Sequence, residues 1–116
     1  MVVEDEMLIA MDIEMTVIDA GHEVVGIART ASEALALATR HRPDIVLMDL
    51  NLADGSRGDD AAKAIFDRLG IRSIFLSGSI GGTPDTLAAL NPVDMIVKPM
   101  IPQRLVDALE VARAEI

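Results

Sequence analysis

Five polar positions stand out because each follows directly on a short apolar run. Glu4 and Asp5 follow Val2-Val3, and Asp49 follows Ile45-Val46-Leu47-Met48. Ser77 follows Ile74-Phe75-Leu76, and Lys98 follows Met95-Ile96-Val97. Runs this short, bounded by turn residues such as Pro43 and Asp54-Gly55, read as buried strands rather than helices. Carboxylates gathered at strand ends repel one another unless a cation joins them. With no His or Cys in the set, a hard ion such as Mg²⁺ is favoured over zinc. A carboxylate can also act as a nucleophile towards a phosphoryl group, giving an acyl phosphate. Lys98 would then offset the incoming charge, and the Ser77 hydroxyl would donate a hydrogen bond to a phosphoryl oxygen. Taken singly, each residue has a plainer role. Acids before a helix serve its dipole, Ser77 suits a turn, and Lys98 suits a solvated surface.

The elements that would bring these positions together alternate along the chain. After the first strand, Leu8, Met11, Met15 and Ile18 recur at three- and four-residue spacing, with Asp12, Thr16 and Asp19 on another face. This predicts an amphipathic helix that buries the Leu8–Met15 stripe, so the methionines are expected in the core. Gly21 ends it, and Val24 to Ala28 form a second strand. Thr30-Ala31-Ser32-Glu33 has capping-box spacing for a second helix, with Ala31, Ala34, Leu35 and Ala38 inward and Arg42-Pro43 at its close. A third helix carries Ala61, Ala62, Ile65, Phe66 and Leu69 and stops at Gly70. The glycine-rich stretch 78–82 precedes a short helix opened by Thr83-Pro84-Asp85 and closed by Asn91-Pro92. The last helix starts near Pro102 and buries Leu105, Ala108, Leu109 and Ala112. Five strands alternating with five helices predict a parallel sheet covered on both faces. In such a sheet all the carboxyl ends lie at one edge, where ligands bind. If the first and third strands are neighbours, Glu4, Asp5 and Asp49 converge.

The chain has 116 residues, one domain's worth, and about half of it is apolar. There are two Phe and no Trp, Tyr or Cys, so the core must be aliphatic and neither a disulfide nor a Cys–zinc site is available. Nineteen acids against ten Lys and Arg give a net charge of −9, which argues against nucleic acid as a direct partner. No apolar run approaches the ~20 residues of a membrane span, and acids replace the basic start of a secretory signal. A soluble, cytoplasmic chain is expected, with no direct membrane role.

Together, in order and at the ends of the right strands, these residues resemble the receiver domain of two-component response regulators, typified by the chemotaxis receiver. The likeness spans residues 1–116 as one receiver domain. It implies a flavodoxin-like three-layer sandwich, a five-stranded parallel sheet of order 2-1-3-4-5 with five helices. It implies Asp49 as phosphoacceptor, assisted by Ser77 and Lys98. Mg²⁺ would be held by Glu4, Asp5, Asp49 and the backbone carbonyl of Asn51. The Lys98-Pro99 peptide is cis in the family pattern. The implied donor is a histidine kinase or histidine phosphotransfer protein. The implied output is a shift of the face formed by the fourth helix, fifth strand and fifth helix, read by a downstream effector. The likeness leaves room for a homodimer, and implies a switch rather than an enzyme.

The sequence departs from the family pattern in several places. Leu52-Ala53-Asp54 stands where a proline is usual, and Gly58 falls one residue late. Met95 occupies the common aromatic switch position, Gly78 follows the hydroxyl, and Met100 replaces a common Phe. These changes leave the phosphorylation chemistry intact while altering the residues that usually report it. A rival reading is therefore a degenerate, non-phosphorylated receiver acting as a protein-binding module. An aspartyl-phosphate phosphohydrolase is disfavoured, because the position two residues after the nucleophile is Asn51 rather than an acid. The first strand opens almost at residue 1, so a trimmed or misplaced start is expected. The chain is expected to be either a stand-alone receiver or one excised from a longer protein.

Overall fold

The computed structural model describes residues 1–50, 52, 58–77, 89–97 and 101–115. Five short strands, β1 (Val2–Val3), β2 (Ile27–Ala28), β3 (Val46–Asp49), β4 (Ser73–Ser77) and β5 (Asp94–Val97), form one sheet. All its pairings are parallel, in the order β2-β1-β3-β4-β5. That is the flavodoxin-like arrangement the strand pattern and the family likeness imply. The described helices are α1 (Met7–Asp19), α2 (Ala31–His41), α3 (Gly58–Leu69) and α4 (Pro102–Ala114). The short helix expected after Pro84 lies outside the described residues, so α4 is the fifth helix of the sequence reading.

Alternation along the strands explains the three layers, since successive side chains point to opposite faces. Val3, Val46, Met48 and Phe75 pack with Ala34, Ala38, Ala61, Ala62 and Ile65 beneath α2 and α3. Val2, Leu47, Ile74, Leu76 and Ile96 pack with Ile13, Val17, Leu105, Ala108 and Leu109 beneath α1 and α4. Central strand β3 is buried along its whole length, as a strand covered on both faces must be.

Three helices turn the expected faces inward, with Ala31, Leu35, Phe66 and Leu69 half-buried against the core and the rest buried. In α2, Ala34 and Ala38 are fully buried, and the Thr30 hydroxyl caps the helix by accepting from the Glu33 N–H at 3.2 Å. In α3, Ala61, Ala62 and Ile65 are buried; in α4, Leu105, Ala108, Leu109 and Ala112. Met95, at the switch position, is half-buried and packs on the α2–α3 side of the sheet.

Helix α1 is a correction. It buries Ala10, Ile13 and Val17, whereas Leu8 is 83 % and Met15 63 % exposed, with Met7, Met11 and Ile18 about half exposed. The two stripes lie on opposite sides of the helix and both recur at three- and four-residue spacing. Periodicity alone therefore could not choose between them. The sheet takes the smaller and β-branched side chains, which let the helix approach closely, and the longer methionines remain outside.

Asp94 at the start of β5 ties α4 to the sheet. Arg104 donates to both its carboxylate oxygens, at 2.5 and 2.9 Å. That hydrogen-bonded guanidinium holds the Asp94 carboxyl below its ordinary value of 3.8. A depressed folded-state value means the pair's stabilisation is present above the unfolded value and is lost as pH falls through the folded one. Both groups are partly exposed, so the contribution is about 1 kcal/mol at most. Asp94→Asn should cost that amount at pH 7 by urea unfolding, with the difference from wild type closing below pH 3.8.

Candidate functional site

The acid cluster is built by two adjacent strands. Beyond β1, the Glu4 N–H still donates to the Ala28 carbonyl at 2.9 Å, which continues the ladder to β2 and keeps Glu4 1 % exposed. Asp5 follows at the start of the turn into α1, half-buried, and its carbonyl accepts from Arg29 Nε at 3.3 Å. Asp49 is the last residue of β3, 3 % exposed, in register with Leu76 of β4. The next peptide is held as well, with the Leu50 N–H donating to the Leu76 carbonyl at 3.1 Å. Val3 and Met48 are register partners, so the residues after them leave the sheet side by side.

As a result, Glu4, Asp5 and Asp49 each offer a carboxylate oxygen within 4.8 Å of the other two. Ionised carboxylates this close repel by roughly 3 kcal/mol per pair at an effective dielectric near 20. Burial of Glu4 and Asp49 limits screening by water and salt. A small divalent cation among the three would turn that repulsion into attraction. Only oxygens are on offer, and a Mg²⁺ ion uses one or two carboxylates and keeps several waters. The donor set therefore fits Mg²⁺.

Of the predicted site residues, the structure brings together Glu4, Asp5 and Asp49. Ser77 closes β4 at the same edge, in register with Val97 where β5 ends. The Ser77 side chain, Asn51, Lys98, Pro99 and the 78–82 stretch lie outside the described residues. Sequence reasoning noted Gly58 only as falling late and missed its contact with Asp49. It is buried at the first position of α3, donates its N–H to the Leu50 carbonyl at 3.1 Å, and lies directly against the backbone of Asp49. The available signal was its place in the family pattern, where it falls one residue late.

This edge geometry and the strand order agree with comparisons against known proteins. A model of the response regulator receiver domain matches residues 1–110. The chain belongs to this family. As a receiver it is a regulatory switch and not a catalytic enzyme. The receiver is similar to the chemotaxis protein CheY of Thermotoga maritima, with 32 % identity over 94 % of this chain and 92 % of that protein. It is also similar to the phyllosphere-induced regulator PhyR of Methylorubrum extorquens, 44 % identical over 66 % of this chain but only 29 % of that protein. Among solved structures, the response regulator PhyR of Brucella abortus superposes with a TM-score of 0.79 at 44 % identity. That match covers 96 % of the receiver and 45 % of the solved chain. The receiver thus spans less than half the length of the PhyR relatives and nearly all of the chemotaxis one. No helix among the described residues is long and apolar enough to cross a membrane.

Proposed function

We propose that residues 1–116 form a cytoplasmic phosphoacceptor receiver that takes a phosphoryl group from a phosphohistidine on Asp49. The observation that carries this reading is the meeting of Glu4, Asp5 and Asp49 within 4.8 Å at the carboxyl edge of the sheet. In the transfer, an Asp49 carboxylate oxygen attacks phosphorus. A P–O bond forms, the P–N bond to the donor imidazole breaks, and the imidazole takes up a proton as it leaves. Glu4, Asp5, Asp49 and the Asn51 carbonyl would hold Mg²⁺, which supplies positive charge next to the phosphoryl oxygens when bound. Lys98 adds a second positive charge there, and the Ser77 hydroxyl donates to a phosphoryl oxygen of the product. The added charge biases a two-state equilibrium of the face around β5 and α4 that an effector reads.

The outer face of α1 supports a protein donor. Leu8, Met11, Met15 and Ile18 form an exposed apolar seam that begins just beyond Asp5, with Asp12 and Asp19 along one margin and Glu14 along the other. An exposed stripe of this kind marks an interaction surface. Its acidic margins suit a donor helix with an apolar face and basic flanks, from a histidine kinase or histidine phosphotransfer protein.

Incubation with Mg²⁺ and a small acyl-phosphate donor should add one phosphoryl mass to the intact protein, and chelation of Mg²⁺ should prevent it. Asp49→Asn should take up none. Unchanged labelling in that variant would refute the assignment. A wild type that binds Mg²⁺ but is never labelled would instead favour the rival protein-binding module.

A further inference from the structure

We infer that Gly58 is a positioning residue for Asp49, because its missing side chain lets α3 lie against the acceptor's own peptide. The inference rests on the reading of Asp49 as metal ligand and acceptor. A methyl group placed on Gly58 would stand 1.9 Å from the Asp49 carbonyl oxygen, 2.8 Å from its carbonyl carbon and 2.8 Å from Leu50 Cα. All three are backbone atoms, so no rotamer change relieves the overlap. The helix and the strand end would have to separate by about 1 Å or more before even a tight contact is reached.

The same peptide is gripped from the other side. Leu50 N–H donates to Leu76 of β4 at 3.1 Å, while the Leu50 carbonyl accepts from Gly58 N–H at 3.1 Å. Pushing α3 outward breaks the second bond, and pushing the strand inward strains the first. Either way the Asp49 backbone moves relative to β1, which leads into Glu4 and Asp5. Mg²⁺ tolerates little departure from octahedral geometry, and a misplacement near 1 Å in a reacting group can cost about a hundredfold in rate. The other described glycines have room for a methyl. Gly21 and Gly70 face open space, and at Gly26 the nearest atom is a Leu37 methyl at 3.5 Å.

The test compares Gly58→Ala with Gly70→Ala. The latter ends the same helix at φ +69, so alanine there is strained without touching Asp49. Both variants should lose stability. Only Gly58→Ala should also bind Mg²⁺ at least tenfold more weakly by calorimetry. It should also label at least tenfold more slowly from a small acyl phosphate at saturating Mg²⁺. Calorimetry suits a chain without Trp or Tyr. If Gly58→Ala fails to fold in buffer, the same titration in trimethylamine N-oxide applies, since that osmolyte favours the compact state. A folded Gly58→Ala within twofold of wild type in both affinity and rate overturns the inference and leaves the functional reading standing. A wild type that neither binds Mg²⁺ nor accepts phosphate overturns both.

Discussion

Mg²⁺ at a hundred times its dissociation constant should raise the unfolding free energy of the wild type by about 2.7 kcal/mol, and Asp49→Asn should lose most of that gain. On the proposed reading the ion would bind where three carboxylates converge, a geometry the unfolded chain lacks, so its binding energy would appear as folding energy. Asp49→Asn would remove one negative charge and leave a weaker, neutral amide oxygen in place of the carboxylate. Urea unfolding followed by far-ultraviolet circular dichroism, with and without Mg²⁺, measures the difference. Equal stabilisation of wild type and Asp49→Asn would place the ion elsewhere. Sodium at matched ionic strength should give far less, because a monovalent ion offsets less of the repulsion.

The second large effect concerns α1. Ile13 is 1 % exposed beneath the helix, against the sheet, and Ile13→Ala should cost about 2–5 kcal/mol through lost burial and the cavity left behind. Leu8→Glu and Met15→Glu should change stability by no more than about 0.5 kcal/mol, because both side chains already lie in water. The same two substitutions should slow phosphoryl transfer from a protein donor at least tenfold while leaving transfer from a small acyl phosphate unchanged. If Met15→Glu destabilised as much as Ile13→Ala, the helix would be rotated from the orientation described.

That helix also marks the limit of what the residue pattern conveys. For α2, α3 and α4 the inward positions are mostly small or aliphatic and the outward ones mostly polar or charged, so periodicity identified the buried face. In α1 nine of thirteen residues are apolar, and Leu8-Met11-Met15-Ile18 has the same spacing as the stripe through Ala10, Ile13 and Val17. What decides between them is how closely the helix must approach the sheet, which is a tertiary requirement. The acid cluster was legible for the opposite reason. Glu4, Asp5 and Asp49 follow short apolar runs bounded by turn residues, which read as buried strands, and parallel strands deliver their carboxyl ends to one edge. The role of Gly58 was not legible, because what demands glycine there is a carbonyl oxygen on a different element. The family likeness supplied what spacing could not, namely the neighbouring of β1 and β3.

The claim that Asp49 carries the phosphoryl group is tested most directly by mapping the label. Wild-type protein treated with Mg²⁺ and a phosphohistidine or acyl-phosphate donor is digested, and the modified peptide is identified by mass. The phosphoryl group should lie on the peptide containing Asp49 and be released by hydroxylamine, as an acyl phosphate is. A label on a serine, threonine or histidine, or one that survives hydroxylamine, would contradict this account.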